Sequence, residues 1–221
     1  MIRRTIPQRT ISNEVELNGV GLHTGQKVNI KFKPAPVDTG LVFIREDLLE
    51  DNLIDANIRY ISNTDRGTNI DNGIVRIQTS EHVLAALVGL GIDNCFISLN
   101  GPEVPIMDGS SKDFIEVLEQ AEIKEQSILR EEFFPDNPIT FKDEESGGEI
   151  SLIPHKNYCL DTTVDYGTKV LGTQKASIDD ISEFKEEIST ARTFSFLHEL
   201  EMLLDNGLIK GEIGRASCRE R

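Results

Sequence analysis

The segment Thr79-Ser80-Glu81-His82 sets a carboxylate beside an imidazole just ahead of an apolar, helix-periodic run. Residues 80–90 carry Val83, Leu87 and Leu90 on one face, with Thr79 or Ser80 placed to cap and Gly89 and Gly91 marking the end. That spacing predicts a helix with Glu81 and His82 in its first turn. The positive end of a helix disfavours a protonated imidazole, and the neutral ring is the form that ligates zinc. A neighbouring carboxylate that is not a ligand can accept a proton from an attacking water. The same two residues have a bland reading. A Glu in the first turn complements the helix dipole by about 0.3–1 kcal/mol, and a lone His is most often structural. Catalytic zinc usually takes three protein ligands, and there is no H-E-x-x-H here. Both readings stay open on these residues alone.

Three further segments could contribute to a site. Gly19-Val20-Gly21-Leu22-His23-Thr24-Gly25 has three glycines around a His, which lets the backbone approach something closely. A hairpin bend with an incidental His fits equally, and no Gly-Lys-Ser/Thr follows to make a phosphate loop. Pro105-Ile106-Met107-Asp108-Gly109-Ser110 is a loop entering a helix and reads first as turn plus cap. Ala191-Arg192-Thr193-Phe194 offers a charge, a hydroxyl and a stacking face, or simply a cap and a core aromatic at a helix start. His155 and His198 have no partner nearby in sequence and read as surface residues.

The elements that would position these groups follow from periodicity. Val28, Ile30 and Phe32 alternate with polar residues, as in a half-buried strand. Lys33-Pro34-Ala35-Pro36 breaks that strand, and residues 41–44, 74–79 and 95–99 read as further strands. Ser110 and Asp113 form a capping-box pattern before Phe114, Leu118 and Ala121. The charged stretch 122–137, interrupted by Phe-Phe-Pro, is the linker candidate, placed at 126–137 between units 1–125 and 138–212. The grammar then partly repeats: strands at 150–153 and 158–164 flank a Pro-His-Lys break, followed by a polar loop at 165–174 and an acidic segment at 178–188. A last helix runs from near Ser195 to Gly207. The expectation is an α+β fold with helices packed on a sheet, and a weak sign of duplication.

Composition narrows the class. The chain has 221 residues and a net charge of −15, which disfavours binding driven by nucleic-acid phosphates. No apolar run approaches the ~20 residues of a membrane span, and no signal peptide is expected. Three cysteines without a C-x-x-C pair argue for a reducing, cytoplasmic setting. Residues 213–221, with three Arg against one Glu, break the pattern. They resemble one reading frame of a sequencing-adapter oligonucleotide and are expected to be a non-native tail, an ordinary basic tail being the alternative. The natural chain is then expected to continue beyond Gly211.

Together the motifs resemble the UDP-3-O-acyl-N-acetylglucosamine deacetylases of lipid A biosynthesis. The matching pieces are residues 19–25 with Lys33-Pro34-Ala35-Pro36, then Ser80-Glu81-His82 through Leu90-Gly91-Ile92-Asp93-Asn94, then 102–110 and 191–196. They fall in the family's order and spacing, and some members are fused to a 3-hydroxyacyl-acyl-carrier-protein dehydratase. The resemblance implies two related two-layer sandwich domains of the ribosomal-protein-S5-domain-2 type, the second incomplete here. It implies a Zn2+ cofactor and an acylated UDP-amino sugar as substrate, with no nucleic-acid partner and no transmembrane segment. It makes His82 a zinc ligand, Glu81 the general base and Thr193 a donor to the oxyanion. Phe194 would lie near the sugar nucleotide, with Leu22, His23, Phe196, Leu197, Leu200 and Ile209 along the substrate. The family's other zinc ligands and its general-acid His should follow Gly211, and residues 212–221 match neither. A fragment of the enzyme, inactive alone, is therefore expected. The alternative is a non-catalytic sugar-nucleotide-binding module of the same fold.

Overall fold

Lys27–Pro34 shows why the main sheet forms where it does. Val28, Ile30 and Phe32 face inward and are buried, while the residues between them are not, the two-residue period of a sheet with one face covered. The computed structural model describes residues 2–64, 66–196, 199, 202, 203, 205 and 207–211. The strands before the first helix are β1 (Ile2–Arg3), β2 (Pro7–Ile11), β3 (Val15–Val20), β4 (Lys27–Pro34), β5 (Leu41–Arg45), β6 (Leu53–Asp55), β7 (Ile61–Asn63), β8 (Asn69–Asp71) and β9 (Arg76–Ile77). Then come α1 (Glu81–Gly89), β10 (Cys95–Leu99) and α2 (Lys112–Gln120). Next are β11 (Ile123–Leu129), β12 (Glu132–Phe133), β13 (Ile139–Lys142), β14 (Glu149–Leu152), β15 (Leu160–Asp165), β16 (Thr173–Ile178) and α3 (Phe184–Glu187). The architecture is α+β.

The main sheet has the order β3-β4-β10-β5-β6. β10 pairs antiparallel with β4 and parallel with β5, so it closes the gap left by the Lys33–Pro36 break. The helices α1 and α2 contribute Val83, Ala86, Leu87, Phe114, Ile115 and Leu118 to one core with Ile30, Phe32, Phe43, Ile97 and Leu99. Phe32 and Phe114 meet edge to face, with ring centroids 6.5 Å apart. Among the described residues no helix is long and apolar enough to cross a membrane.

Several expectations need correction. Neither helix is capped as anticipated. Ser80 and Ser111 precede α1 and α2 in helical backbone geometry without a side-chain cap bond. Ser110 Oγ instead accepts from the Lys112 N–H and donates to Asp108, so the hydroxyl serves the loop as much as the helix. The strand expected at 74–79 is only Arg76–Ile77, because Thr79 turns into the left-handed region at φ 57°. Part of the expected linker is strand: β11 pairs antiparallel with β2, and β12 with β1. The expected polar loop 165–174 ends in β16, which forms a hairpin with β15. Among the described residues, β13 pairs with β14 and β15 with β16, each pair a separate two-stranded sheet. The last helix falls partly outside the described residues; Glu199, Met202, Leu203 and Asp205 are helical within it. Leu197, His198, Leu200 and residues 213–221 lie outside the described residues.

Candidate active site around Glu81 and His82

The start of α1 is set by an interlock with Thr68. Both the backbone N–H and the hydroxyl of Ser80 donate to the Thr68 carbonyl, at 3.1 and 2.9 Å. The Thr68 N–H in turn donates to Glu81 Oε2 at 2.8 Å. One carboxylate oxygen of Glu81 is thereby held, and the other, Oε1, lies 3.9 Å from His82 Nε2. The His82 side chain is 15% exposed, and its backbone carbonyl accepts from Ser111 Oγ at 3.0 Å. Burial pushes the imidazole below its ordinary value, outweighing the opposite pull of the Glu81 and Asp108 carboxylates. The ring is therefore a neutral nitrogen donor near neutral pH.

Asp108 joins this corner to the second half of the chain. It accepts from the Ser110 N–H at 3.0 Å and the Ser110 hydroxyl at 2.6 Å, and pairs with Arg192 Nη2 at 3.1 Å. Burial alone would raise its carboxyl, but these donors hold it below the usual carboxylate value. Next to that pair, the Thr193 N–H donates to the Gly109 carbonyl at 2.8 Å. Gly109 is in the left-handed region at φ 84°, which presents its carbonyl to Thr193 without steric cost. Two motifs more than 80 residues apart in sequence thus form one joint beside His82. Phe194 stands edge-on between Tyr166 and Phe196, at 5.2 and 5.5 Å between centroids.

The glycine-rich segment approaches a carboxylate of its own chain. Glu103 is fully buried and accepts from the backbone N–H of His23 and of Thr24, both at 2.8 Å, and from the Thr79 hydroxyl at 3.2 Å. A Cβ on Gly21 would stand 2.4 Å from Glu103 Oε2, so only glycine allows this contact. Glu103 therefore ties the loop bearing Leu22 and His23 to the residue two before Glu81. The His23 ring places Nε2 3.2 Å from the Arg66 carbonyl, and its buried Nδ1 has no hydrogen-bond partner among the described residues. The Gly211 N–H donates to the Leu22 carbonyl at 3.0 Å, which brings the segment of buried Ile209 against Leu22.

The structure thus brings Thr193 to Gly109 beside Glu81 and His82, ties the backbone of His23 and Thr24 to Glu103, and bonds Gly211, two residues after Ile209, to Leu22. Phe196 is half-buried in the aromatic group, and His155 is exposed as expected. The sequence alone leaves Glu103 unmarked and gives Asp108 only the part of a turn before a cap. The available signal was an acid between prolines in an otherwise apolar loop, Pro-Glu-Val-Pro-Ile. Among the described residues no group of three His, Cys, Asp or Glu is placed to hold a metal. A separate cleft lined by Arg3, Phe134, Pro154, His155 and Lys156 shares no residue with this cluster.

Comparison with known proteins decides the family. The family model described as LpxC, UDP-3-O-acyl N-acetylglycosamine deacetylase, matches residues 8–216. The chain belongs to this family. It is 45% identical over 207 residues to the bifunctional enzyme LpxC/FabZ of Chlorobaculum tepidum, covering 93% of this chain and 44% of that protein. It is 41% identical over 209 residues to the UDP-3-O-acyl-N-acetylglucosamine deacetylase of Teredinibacter turnerae, covering 93% of this chain and 68% of the relative. The deacetylase of Legionella pneumophila strain Corby is 40% identical over the same length. The chain spans less than half the length of the bifunctional relatives it matches.

Proposed function

We propose that this chain is the part of a zinc-dependent deacetylase that carries its general base and one metal ligand, acting on UDP-3-O-acyl-N-acetylglucosamine in lipid A biosynthesis. The observation that carries the reading is the convergence of Glu81, His82 and the Thr193–Gly109 joint in a chain of this family. His82 fits a zinc ligand: its ring is largely sequestered and neutral. The other ligands would come from outside the described residues, since no three-ligand group exists among those. Zinc, when bound, supplies Lewis acidity at the acetyl carbonyl and makes water easier to deprotonate at neutral pH.

Glu81 has the freedom its role requires. Oε2 is pinned by Thr68, leaving Oε1 on the His82 side to take the proton of the attacking water. Thr193 would donate its hydroxyl to the oxyanion, held in place by its backbone bond to Gly109. Leu22, His23, Ile209, Phe194 and Phe196, with Leu197 and Leu200, would line the acyl and sugar-nucleotide sides. In this reading the organisation is two related sandwich units, 1–125 and 138–212, in a cytoplasmic protein, and the 221 residues alone do not turn over substrate.

The lack of a three-ligand group among the described residues also suits a second reading, a sugar-nucleotide-binding module without chemistry. Two variants of the protein extended to the length of its deacetylase relatives separate the two. Glu81→Ala should retain zinc and lose at least about 10²-fold in turnover, whereas His82→Ala should weaken zinc binding itself. Equal zinc affinity in wild type and His82→Ala would refute the ligand assignment and favour the module.

A further inference from the structure

Gly89, the last residue of α1, faces the ring of Phe184, the first residue of α3. A Cβ built on Gly89 would stand 2.2 Å from Phe184 Cδ1 and 2.7 Å from Cγ. Gly89 is not in the left-handed region, so its backbone would accept any residue, and the glycine is required by room alone. Phe184 is buried and belongs to the core otherwise built almost wholly from residues before 122. A glycine notch filled by a buried ring has one seating, because interiors are close-packed and deform little.

The segment just after Phe184 reaches the candidate site. The Ser189 N–H returns to the Phe184 carbonyl at 2.8 Å, and the Ser189 carbonyl accepts from the Ser111 N–H at 3.0 Å. Three residues on, Arg192 meets Asp108, and Thr193 donates to Gly109. Both backbone bonds end on the stretch 109–111, which enters α2. We propose that Phe184 seated on Gly89 is a positioning residue, the anchor that sets the register of residues 184–194 and so delivers Thr193 to Gly109. The neighbouring Lys185–Glu119 pair, 2.7 Å and 44% and 41% exposed, is too solvated to fix a register. The functional weight of this anchor rests on the role proposed above for Thr193, but its structural content does not.

The test is amide hydrogen exchange on the 221-residue chain. Alanine is the better helix former, so helix propensity alone predicts that Gly89→Ala leaves protection equal or higher. The anchor predicts the reverse. The Thr193 and Ser111 amides should exchange at least ~10-fold faster, while those of β4 and β10 keep their protection. Phe184→Leu in the Gly89→Ala background should restore protection in part, because a side chain three carbons smaller leaves room for its Cγ to move off the new Cβ while still occupying the notch. Should Gly89→Ala release β4 and β10 as well, Phe184→Ala decides, since it empties the notch without a clash and should free Thr193 selectively. Unchanged Thr193 protection in both Gly89→Ala and Phe184→Ala, or no rescue in the double variant, would overturn the proposal. None of these readouts depends on zinc or turnover, so they stand apart from the deacetylase reading.

Discussion

Residues 7–121 and residues 139–178 are both rich in strand, yet the two regions treat their apolar residues in opposite ways. In the first, β4, β5 and β10 lie under α1 and α2, and Phe32, Phe43, Leu87, Ile97 and Phe114 are fully buried. In the second, Ile139 faces Leu152 and Phe141 faces Ile150 across the β13–β14 hairpin, so an apolar face exists. It is uncovered among the described residues, with Phe141 67% and Ile150 74% exposed. Alternation chooses a face, but burial needs a second layer, and a two-stranded hairpin is marginal by itself. Among the described residues, the chain beyond residue 139 joins the core where it returns to the first region, through Ile178 and then Phe184, with Ile181 and Ile188 packed against it. The Arg192 and Thr193 contacts come directly after that return.

This contrast can be broken by paired substitutions. Phe32→Ala should cost about 3–5 kcal/mol, the usual penalty for emptying a packed aromatic site. Phe141→Ala should fall within about 0.5 kcal/mol, as for an exposed position. Urea unfolding followed by circular dichroism measures both, and equal costs would mean the hairpin face is covered after all. Next in size is Glu103→Ala, which strands two backbone N–H groups and the Thr79 hydroxyl. It should cost about 2–4 kcal/mol, with Glu103→Gln costing less because one acceptor remains. A neutral outcome for Glu103→Ala would remove the tie between the His23 loop and α1.

Thiol labelling compares the regions without mutation. Burial pushes the Cys95 thiol up to about 12, so at pH 8 only about 10⁻⁴ of it is thiolate. Cys159 is exposed. Its thiol is also raised, by desolvation and then by the Asp179, Asp180, Glu183 and Asp161 carboxylates. Cys159 should react with maleimide in the folded protein, and Cys95 only on unfolding. Mass spectrometry of the labelled peptides reads the order, and prompt labelling of Cys95 would contradict a closed core. The smallest effect is expected at the exposed Lys112–Glu116 pair, 3.6 Å apart one helical turn along α2. There Lys112→Ala should change unfolding free energy by only about 0.2–0.5 kcal/mol.

The core-building elements were legible in sequence because their signal is local. β4, β5, β10 and α1 fall within two residues of their expected bounds, each marked by its own periodicity and by Gly or Pro at its ends. β11 was not legible. Ile-Lys-Glu-Gln-Ser-Ile-Leu is charged and mostly exposed, and only its pairing with β2, over a hundred residues away, makes it a strand. The site divided in the same way. Glu81 and His82 are adjacent and could be read together, whereas Glu103 and Asp108 take their meaning from backbone groups and an Arg some 80 residues distant. Capping residues misled because Ser80 and Ser110 spend their hydroxyls on Thr68 and Asp108 rather than on free helix N–H groups alone.

The most direct measurement is acetate release from UDP-3-O-acyl-N-acetylglucosamine by the protein extended to the length of its deacetylase relatives, with zinc removed by a chelator and then restored. One acetate per substrate is expected, with loss of release on chelation, recovery with stoichiometric zinc, and no recovery in His82→Ala at the same zinc concentration. Release that persists in chelator, or full recovery in His82→Ala, would contradict the zinc-dependent reading.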